Sequence, residues 1–132
     1  MIQWNNYCKM ATEFSLEMIE QAWGKARIVD GFDADIFRKD ACGAWIQKDM
    51  FSQQGSMYGW GIDLILPTYM GGTFVIENIR ALNYRNLVSK GKDYPSYKAV
   101  YTSDGLENKE TELYLTINQK VRNKLKKIFS NA

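Results

Sequence analysis

Residues 58–67 read YGWGIDLILP, an apolar run that ends at a proline and carries one charged residue, Asp63. Apolar residues over this length predict a β-strand, and Pro67 ends it because proline has no N–H to donate to a ladder. The pair Gly71-Gly72 then indicates a flexible turn. A carboxylate in such a strand either binds a metal ion or pairs with a backbone donor or a lysine.

The segments around this strand predict further elements. Upstream, residues 12–25 have helical apolar spacing with Thr12 as a cap, residues 33–39 favour a short helix, and residues 41–46 favour a strand. Downstream, we expect a helix over residues 75–90, because Thr73 precedes it as a cap and Gly91 ends it.

The end of the chain predicts a hairpin and a helix. Residues 97–102 and 111–115 are expected to pair across Ser103-Asp104-Gly105 and the polar residues after it. Residues 117–129 repeat apolar side chains at helical spacing. The resulting class is α+β.

Composition narrows the function classes without selecting one. The chain has 132 residues, 45% of them hydrophobic, which suits one globular domain. A net charge of +2 from 17 basic and 15 acidic residues does not by itself imply a polyanionic partner. No leader pattern and no stretch approaching ~20 apolar residues is present, so we expect a cytoplasmic protein without a membrane partner.

The absence of histidine and the spacing of the cysteines exclude common kinds of site. The chain has no histidine, which removes His-dependent triads, HExxH zinc sites and His-based phosphodiester chemistry. Its two cysteines, Cys8 and Cys42, lie far apart and outside any CxxC spacing, so neither a disulfide framework nor a cysteine zinc site is expected.

Five segments of residues 38–93 carry a resemblance to a known family. They are RKDACGAWI (38–46), YGWGIDLILP (58–67), the Gly71-Gly72 pair, ENIRAL (77–82) and NLVSK (86–90). In order and spacing they resemble a bacterial and phage branch of the HNH endonucleases. In that branch the strand typically reads Trp-Glu-Ile-Asp-His-Ile, followed by a proline, a Gly-Gly turn, an Asn-Leu pair and a helix ending in lysine.

The resemblance implies an HNH-like ββα unit, about residues 45–90, within a single domain 1–132. An N-terminal helix precedes this unit, and a C-terminal extension of about residues 95–132 adds a hairpin plus a helix. In the family one divalent metal lies between strand and helix, and a histidine activates water against the scissile phosphate. Asp63 matches the strand's metal ligand, and Asn83 and Asn86 are the weak oxygen donors that could join it.

The residues that match the family's catalytic positions have changed. Leu64 stands where the general-base histidine is expected, and Leu87 stands at the second ligand position unless the alignment shifts by one residue to Asn86. Gly61 replaces the family's glutamate, whereas Asn78 matches the asparagine that holds the loop against the helix. The resemblance therefore implies a retained fold, an absence of cleavage and no cofactor, with a divalent metal as an open alternative.

A helix over residues 75–90 would place Ile76, Ile79, Asn83 and Leu87 on one face. Leu64 and Leu87 would then fill from both sides the space of a hydrated metal ion. Burial of each leucine would contribute about 1.5–3 kcal/mol, which would compensate for the absent metal.

Basic residues cluster in two helical segments and indicate contact with DNA or RNA. The alternative is that they form ordinary solvated faces, since cations near a helix C-terminus also favour its dipole. The candidate nucleic-acid-binding residues are Arg80, Arg85, Lys90 and Lys92 in the ββα region, and Lys120, Arg122, Lys124, Lys126 and Lys127 in the last helix.

Three hypotheses follow for function. The first is a catalytically inactive HNH-like protein that binds nucleic acid or a nucleic-acid-processing partner. The second is a protein-binding inhibitor or regulator of phage or bacterial origin, with the acidic segments 30–35 and 104–112 as candidate surfaces. The third is a metal-dependent nuclease with a substituted base, in which Asp40, Asp49 or Glu77 would join Asp63.

Overall fold

The computed structural model describes residues 14–129 of the chain. The first helix, α1, spans Leu16–Gly24 and buries Ala22 and Trp23. Its cap is Ser15, whose hydroxyl accepts a hydrogen bond from the Met18 N–H at 3.1 Å. The predicted N-terminal helix is thus confirmed in a shorter form, and the proposed cap Thr12 lies outside the described residues.

The strands pair as antiparallel hairpins, and each sheet within residues 14–129 has two strands. The pairs are β1 (Phe37–Lys39) with β2 (Trp45–Gln47), β3 (Trp60–Leu64) with β4 (Ile79–Asn83), and β5 (Ser96–Asp104) with β6 (Glu107–Thr116). Helix α2 (Tyr84–Lys90) follows β4 directly, and helix α3 (Gln119–Ile128) follows β6. Short 3-10 turns lie at Lys48–Met50, Thr68–Met70 and Ile76–Asn78. The α+β class and the C-terminal hairpin plus helix are confirmed, although β5 and β6 extend beyond the predicted residues 97–102 and 111–115 into the expected turn.

The helix predicted over residues 75–90 is wrong in its first half. Residues 76–78 form a 3-10 turn, and β4 then pairs with β3 along five consecutive residues from Ile79 to Asn83. The helix begins only at Tyr84, where the Asn83 side chain accepts from the Arg85 N–H at 3.1 Å. Pairing with a buried neighbouring strand has overridden helical spacing. The single helical face from Ile76 to Leu87 therefore does not exist.

The segment before β2 also differs from its prediction. Residues 33–39 do not form a helix, because their last three residues are strand β1, paired from Phe37 with Gln47 to Lys39 with Trp45. The strand expected over residues 41–46 begins only at Trp45. Residues 40–44 instead form a tight loop, in which the Ala44 carbonyl accepts from the Asp40 N–H at 2.8 Å.

The β3–β4 sheet separates two apolar clusters of the described residues. Trp60 and Ile62 face α1 and pack with Trp23, whereas Leu82 belongs to the cluster around α2, β5 and α3. Successive side chains of a strand point to opposite faces, so neighbouring residues of the sheet serve different clusters. Leu64 packs on the α1 side and Leu87 on the α2 side, so the two leucines do not fill a common space as predicted.

A buried carboxylate joins the hairpins. Asp40 is fully buried and accepts four hydrogen bonds of 2.8–3.0 Å: Oδ1 from the Cys42 and Ala44 N–H groups, and Oδ2 from the Asn83 N–H and the Asn86 side chain. These partners come from the β1–β2 loop, from β4 and from α2. Burial raises the pKa of Asp40, and the hydrogen bonds oppose that rise.

Asn86 extends this network to the third hairpin. Strands β5 and β6 change register between Ala99 and Tyr101, which is a bulge. The Asn86 side-chain oxygen accepts from the Val100 and Tyr101 N–H groups at 2.9 and 3.0 Å, and its amide donates to the Tyr101 carbonyl at 2.9 Å. The backbone N–H groups at the bulge therefore have a partner in α2.

We predict that Asp40→Asn lowers the free energy of unfolding by about 2–3 kcal/mol, because the new NH2 group would face donors and leave buried groups unpaired. Urea denaturation followed by circular dichroism measures the change. The control is Asp30→Asn on the exposed turn, which we expect to stay within about 0.5 kcal/mol of the wild type. Equal stability of the two variants would contradict a structural role for the Asp40 carboxylate.

Candidate functional site

Asp63 lies on β3 and is 1% exposed. It pairs across the hairpin with Arg80 of β4, whose Nε donates to Oδ2 at 2.8 Å. Its other oxygen lies 3.2 Å from the Lys90 Nζ at the end of α2. We call Asp63, Arg80 and Lys90 the ion cluster.

Lys90 is the most deeply buried cation of the cluster, with a fully buried side chain. Besides Asp63, its Nζ donates to the Leu64 and Ile65 carbonyls at 3.3 and 3.2 Å. Three acceptors match the three N–H groups of an ammonium ion. Burial lowers the pKa of Lys90, and the Asp63 carboxylate opposes that fall.

Arg80 lies at the edge of the cluster, with its side chain 14% exposed. Its guanidinium carbon lies 5.2 Å from the centroid of the Tyr97 ring, a cation–π distance. Burial acts to lower the pKa of Arg80, but the Asp63 carboxylate raises it above its usual range. Arg80 therefore stays charged.

The ion cluster does not fit a divalent cation. Lys90 Nζ already lies against Asp63 and two backbone oxygens, so a metal ion there would lie beside an ammonium ion of like charge. Arg80 occupies the other carboxylate oxygen. In the described part of the chain, no three acidic, cysteine or histidine side chains are grouped for a metal.

The residues predicted to join Asp63 lie elsewhere. The side-chain oxygens of Asn83 and Asn86 accept from backbone N–H groups, and both asparagines belong to the hydrogen-bond network of Asp40. Asp49 is exposed and accepts from Gln47. The structure therefore does not group Asp63 with Asn83 and Asn86.

Asn78 fastens the loop that follows β3. Its side-chain oxygen accepts from the Leu66 N–H at 2.8 Å, and its amide donates to the Leu66 and Thr73 carbonyls at 3.0 and 3.1 Å. The Gly-Gly turn lies inside this loop, and a side chain on Gly72 would collide with the Leu66 carbonyl oxygen. The Asn78 side chain thus fixes the loop through hydrogen bonds to the backbone of the loop.

The basic residues predicted to contact nucleic acid divide into two groups. Arg80 and Lys90 belong to the ion cluster, and burial makes Lys90 inaccessible to a phosphate chain. This corrects the expectation that the whole α2 region presents cations to solvent. Those that are exposed or partly exposed are Arg85, Lys92, Lys120, Arg122, Lys124, Lys126 and Lys127.

Among these exposed or partly exposed cations, Arg85 lies against other residues of the chain. Its guanidinium lies 4.5 Å from the Tyr101 ring centroid and 3.8 Å from Glu110. The α3 helix carries four exposed lysines, and its apolar Leu125 is buried. The last helix therefore presents lysines around the part of its surface that does not pack on the core, which we call the basic face of α3. The lysines of this face are Lys120, Lys124, Lys126 and Lys127.

Sequence reasoning missed a basic groove between the end of α1, β4 and α3. Its volume is about 580 Å³, and its lining includes Lys25, Arg27, Arg80 and Lys124. These residues lie up to 99 positions apart in the chain, so no local pattern groups them. Only the packing of α1 and α3 beside β4 could reveal the groove.

Aromatic residues line a second missed feature, a pocket of about 170 Å³. It is lined by Phe32, Phe37, Trp45, Tyr58 and Leu106. The ring centroids of Phe32 and Trp45 are 4.8 Å apart. Phe32 and Leu106 come from the two acidic segments, 30–35 and 104–112, so the pocket brings these segments together.

No protein-family model, curated protein sequence or solved structure matches this chain. Function must therefore be argued from the residues themselves. None of the helices in residues 14–129 is both long and apolar enough to cross a bilayer.

We predict that Lys90→Met lowers the free energy of unfolding by about 2–4 kcal/mol, because it leaves one cation on a buried carboxylate and removes the donor to two carbonyls. Thermal and urea melts measure the loss of stability. Lys92→Met, on an exposed residue two positions further on, is the matched control and should stay within about 0.5 kcal/mol. A Lys90→Met variant as stable as that control would show that the ammonium is dispensable.

Proposed function

We propose that the protein binds nucleic acid without cleaving it and that its ββα unit descends from the HNH nucleases. The ion cluster is the observation that carries the absence of cleavage, and the basic face of α3 carries the binding. The carboxylate at the family's metal-ligand position is neutralised by Lys90 and Arg80, so side-chain cations stand where a metal ion would bind.

The order of elements supports the proposed ancestry. A hairpin of β3 and β4 leads directly into α2, with the Gly-Gly turn and Asn78 in the loop between the strands. This ββα unit runs from Trp60 to Lys90, a shorter span than the sequence predicts. Asp63 lies on the first strand of this unit, the strand on which the resemblance expects a metal ligand.

The chemistry of the side chains argues against cleavage. Leu64 has no group that takes a proton, and the chain has no histidine to replace it. Asp63 is unsuited to act as a base, because both of its oxygens already accept from cations. Phosphodiester hydrolysis needs an activated water and a charge-stabilising group at the phosphate. We therefore take the protein to be inactive as a nuclease and to need no cofactor.

Binding is assigned to the basic face of α3. Its four lysines are exposed on one short helix, where they can neutralise phosphates and release counterions. DNA or RNA is the partner class that this face suits.

We predict that the purified protein binds a DNA or RNA duplex in chelator and does not nick plasmid DNA in magnesium, manganese or zinc. The double variant Lys126→Gln, Lys127→Gln should bind more weakly. The slope of log affinity against log salt should become shallower by about 0.9 for each phosphate that the variant no longer neutralises. Fluorescence anisotropy over a salt series measures binding.

The matched control is the double variant Lys48→Gln, Lys109→Gln, which removes the same charge away from α3. It should retain the wild-type salt slope. Metal-dependent nicking that Asp63→Ala abolishes, with a metal-induced rise in melting temperature, would overturn the proposal in favour of a nuclease with a substituted base. Equal binding by both double variants would contradict the assignment to α3.

A second candidate function, a protein-binding regulator, is favoured by the aromatic pocket. Phe32 and Leu106 of the two acidic segments both line it, so this apolar pocket lies next in sequence to their carboxylates. Such a surface suits a partner that presents an apolar side chain flanked by basic residues. A host enzyme with a basic surface is the kind of protein that this candidate would regulate.

We predict for this second candidate that a short peptide of alternating lysine and leucine quenches tryptophan fluorescence on binding. Leu106→Ser should weaken that binding roughly fivefold, because less apolar surface is buried against the peptide. Leu16→Ser, at an exposed apolar residue of α1 away from the pocket, should bind as the wild type does. Identical affinities for all three proteins would exclude the pocket as the docking surface.

A further inference from the structure

The basic groove contains more cations than carboxylates. Lys25 and Arg27 enter it from the end of α1, Arg80 from β4 and Lys124 from α3, whereas Glu77 is the one carboxylate among its lining residues in the described chain. Cations from separate elements have been brought to one concave surface. Such a surface concentrates the field and attracts anions.

Lys25 is affected by this crowding. Its ammonium group donates to the Ile76 carbonyl. Burial lowers the pKa of Lys25, the nearby Lys124 lowers it further, and Arg80 adds a smaller effect in the same direction against the opposing Glu77. These cations line one groove, so their like charges repel one another, and an anion between them would relieve that repulsion.

Arg80 connects the groove to the ion cluster. Its Nε binds Asp63, but that carboxylate is shared with Lys90, so one negative charge faces two positive charges. The Nη2 atom of Arg80 is buried without a hydrogen-bond partner among the described residues. Leaving a buried donor without an acceptor is unfavourable, and a small rotation of the guanidinium toward the groove would let a bound anion accept from it.

We infer that this groove binds a phosphate group. Guanidinium and ammonium groups from three elements offer the donors that a phosphate accepts, and Thr116 and Asn118 add polar groups to the same wall. The volume of about 580 Å³ lies within the usual range for ligand pockets and exceeds what a small ion needs. Leu115 and Val121 add apolar groups to the lining of the groove.

The source of the phosphate rests on the proposed function. Lys124 belongs both to the basic face of α3 and to the groove, so a nucleic-acid strand along α3 passes the groove mouth. One phosphate of that strand, or its terminal phosphate, would occupy the groove. Free phosphate compounds share this chemistry, and the experiment separates the two sources.

The test uses Lys25→Gln and Arg27→Gln, because these residues line the groove and do not belong to α3. Two probes are used. Binding of inorganic phosphate is measured by NMR shifts of backbone and arginine side-chain resonances, and binding of a fluorescent oligonucleotide is measured by anisotropy. Each variant should weaken binding of both probes roughly tenfold, the change expected when one hydrogen bond to a charged group is removed. Lys109→Gln is the control on the β5–β6 hairpin, and circular dichroism checks that every variant folds.

Three outcomes are distinct. Phosphate shifts at Arg80 and Lys25, with weakened binding of both probes by the variants, support the inference. Phosphate binding in the groove without oligonucleotide binding also supports it, while overturning the proposed nucleic-acid function. Oligonucleotide binding that depends on Lys126 and Lys127 but not on Lys25 or Arg27, without phosphate shifts in the groove, overturns the inference and leaves the proposed function intact.

Discussion

The buried carboxylate of Asp40 is the group on which the arrangement of the hairpins depends. Removing a charge from water is costly, and four directed hydrogen bonds compensate for that cost here. Because the donors belong to the β1–β2 loop, to β4 and to α2, the carboxylate is satisfied only when these elements meet. Asn86 carries the same network into the bulge of β5. Polar groups thus determine how the apolar clusters are placed.

The same constraint on buried charge explains the ion cluster. Asp63 lies on β3, and the register of the hairpin places Arg80 of β4 directly opposite. Lys90 then brings an ammonium ion to the carboxylate and to two backbone oxygens. A cation covalently attached to α2 ties strand to helix, which is the structural role that a bound metal has in other proteins. Both oxygens of the carboxylate are therefore already occupied by cations of the chain itself.

The basic residues show that a count of charges in the sequence does not identify which cations can meet a phosphate. Lys90 and Lys92 are separated by one residue, yet the first is buried in an ion pair and the second is exposed. Nothing in the local sequence distinguishes them. Lys25 and Lys124 lie far apart in the chain but line one groove. Exposure and proximity, which decide whether a cation can meet a phosphate, are properties of the packed molecule.

Local patterns in the sequence were sufficient to predict α1, α3 and the β5–β6 hairpin, because helical spacing and turn residues act between near neighbours in the chain. They also indicated that Asp63 needs a partner. Such patterns did not predict residues 75–90 correctly. Ile79 to Asn83 form a strand because β3 offers a buried hydrogen-bonding edge. The partners of Asp63, the role of Asp40 and the basic groove depend on residues distant in sequence. Tertiary structure decided them, because electrostatic and hydrogen-bond partners are selected by distance in space.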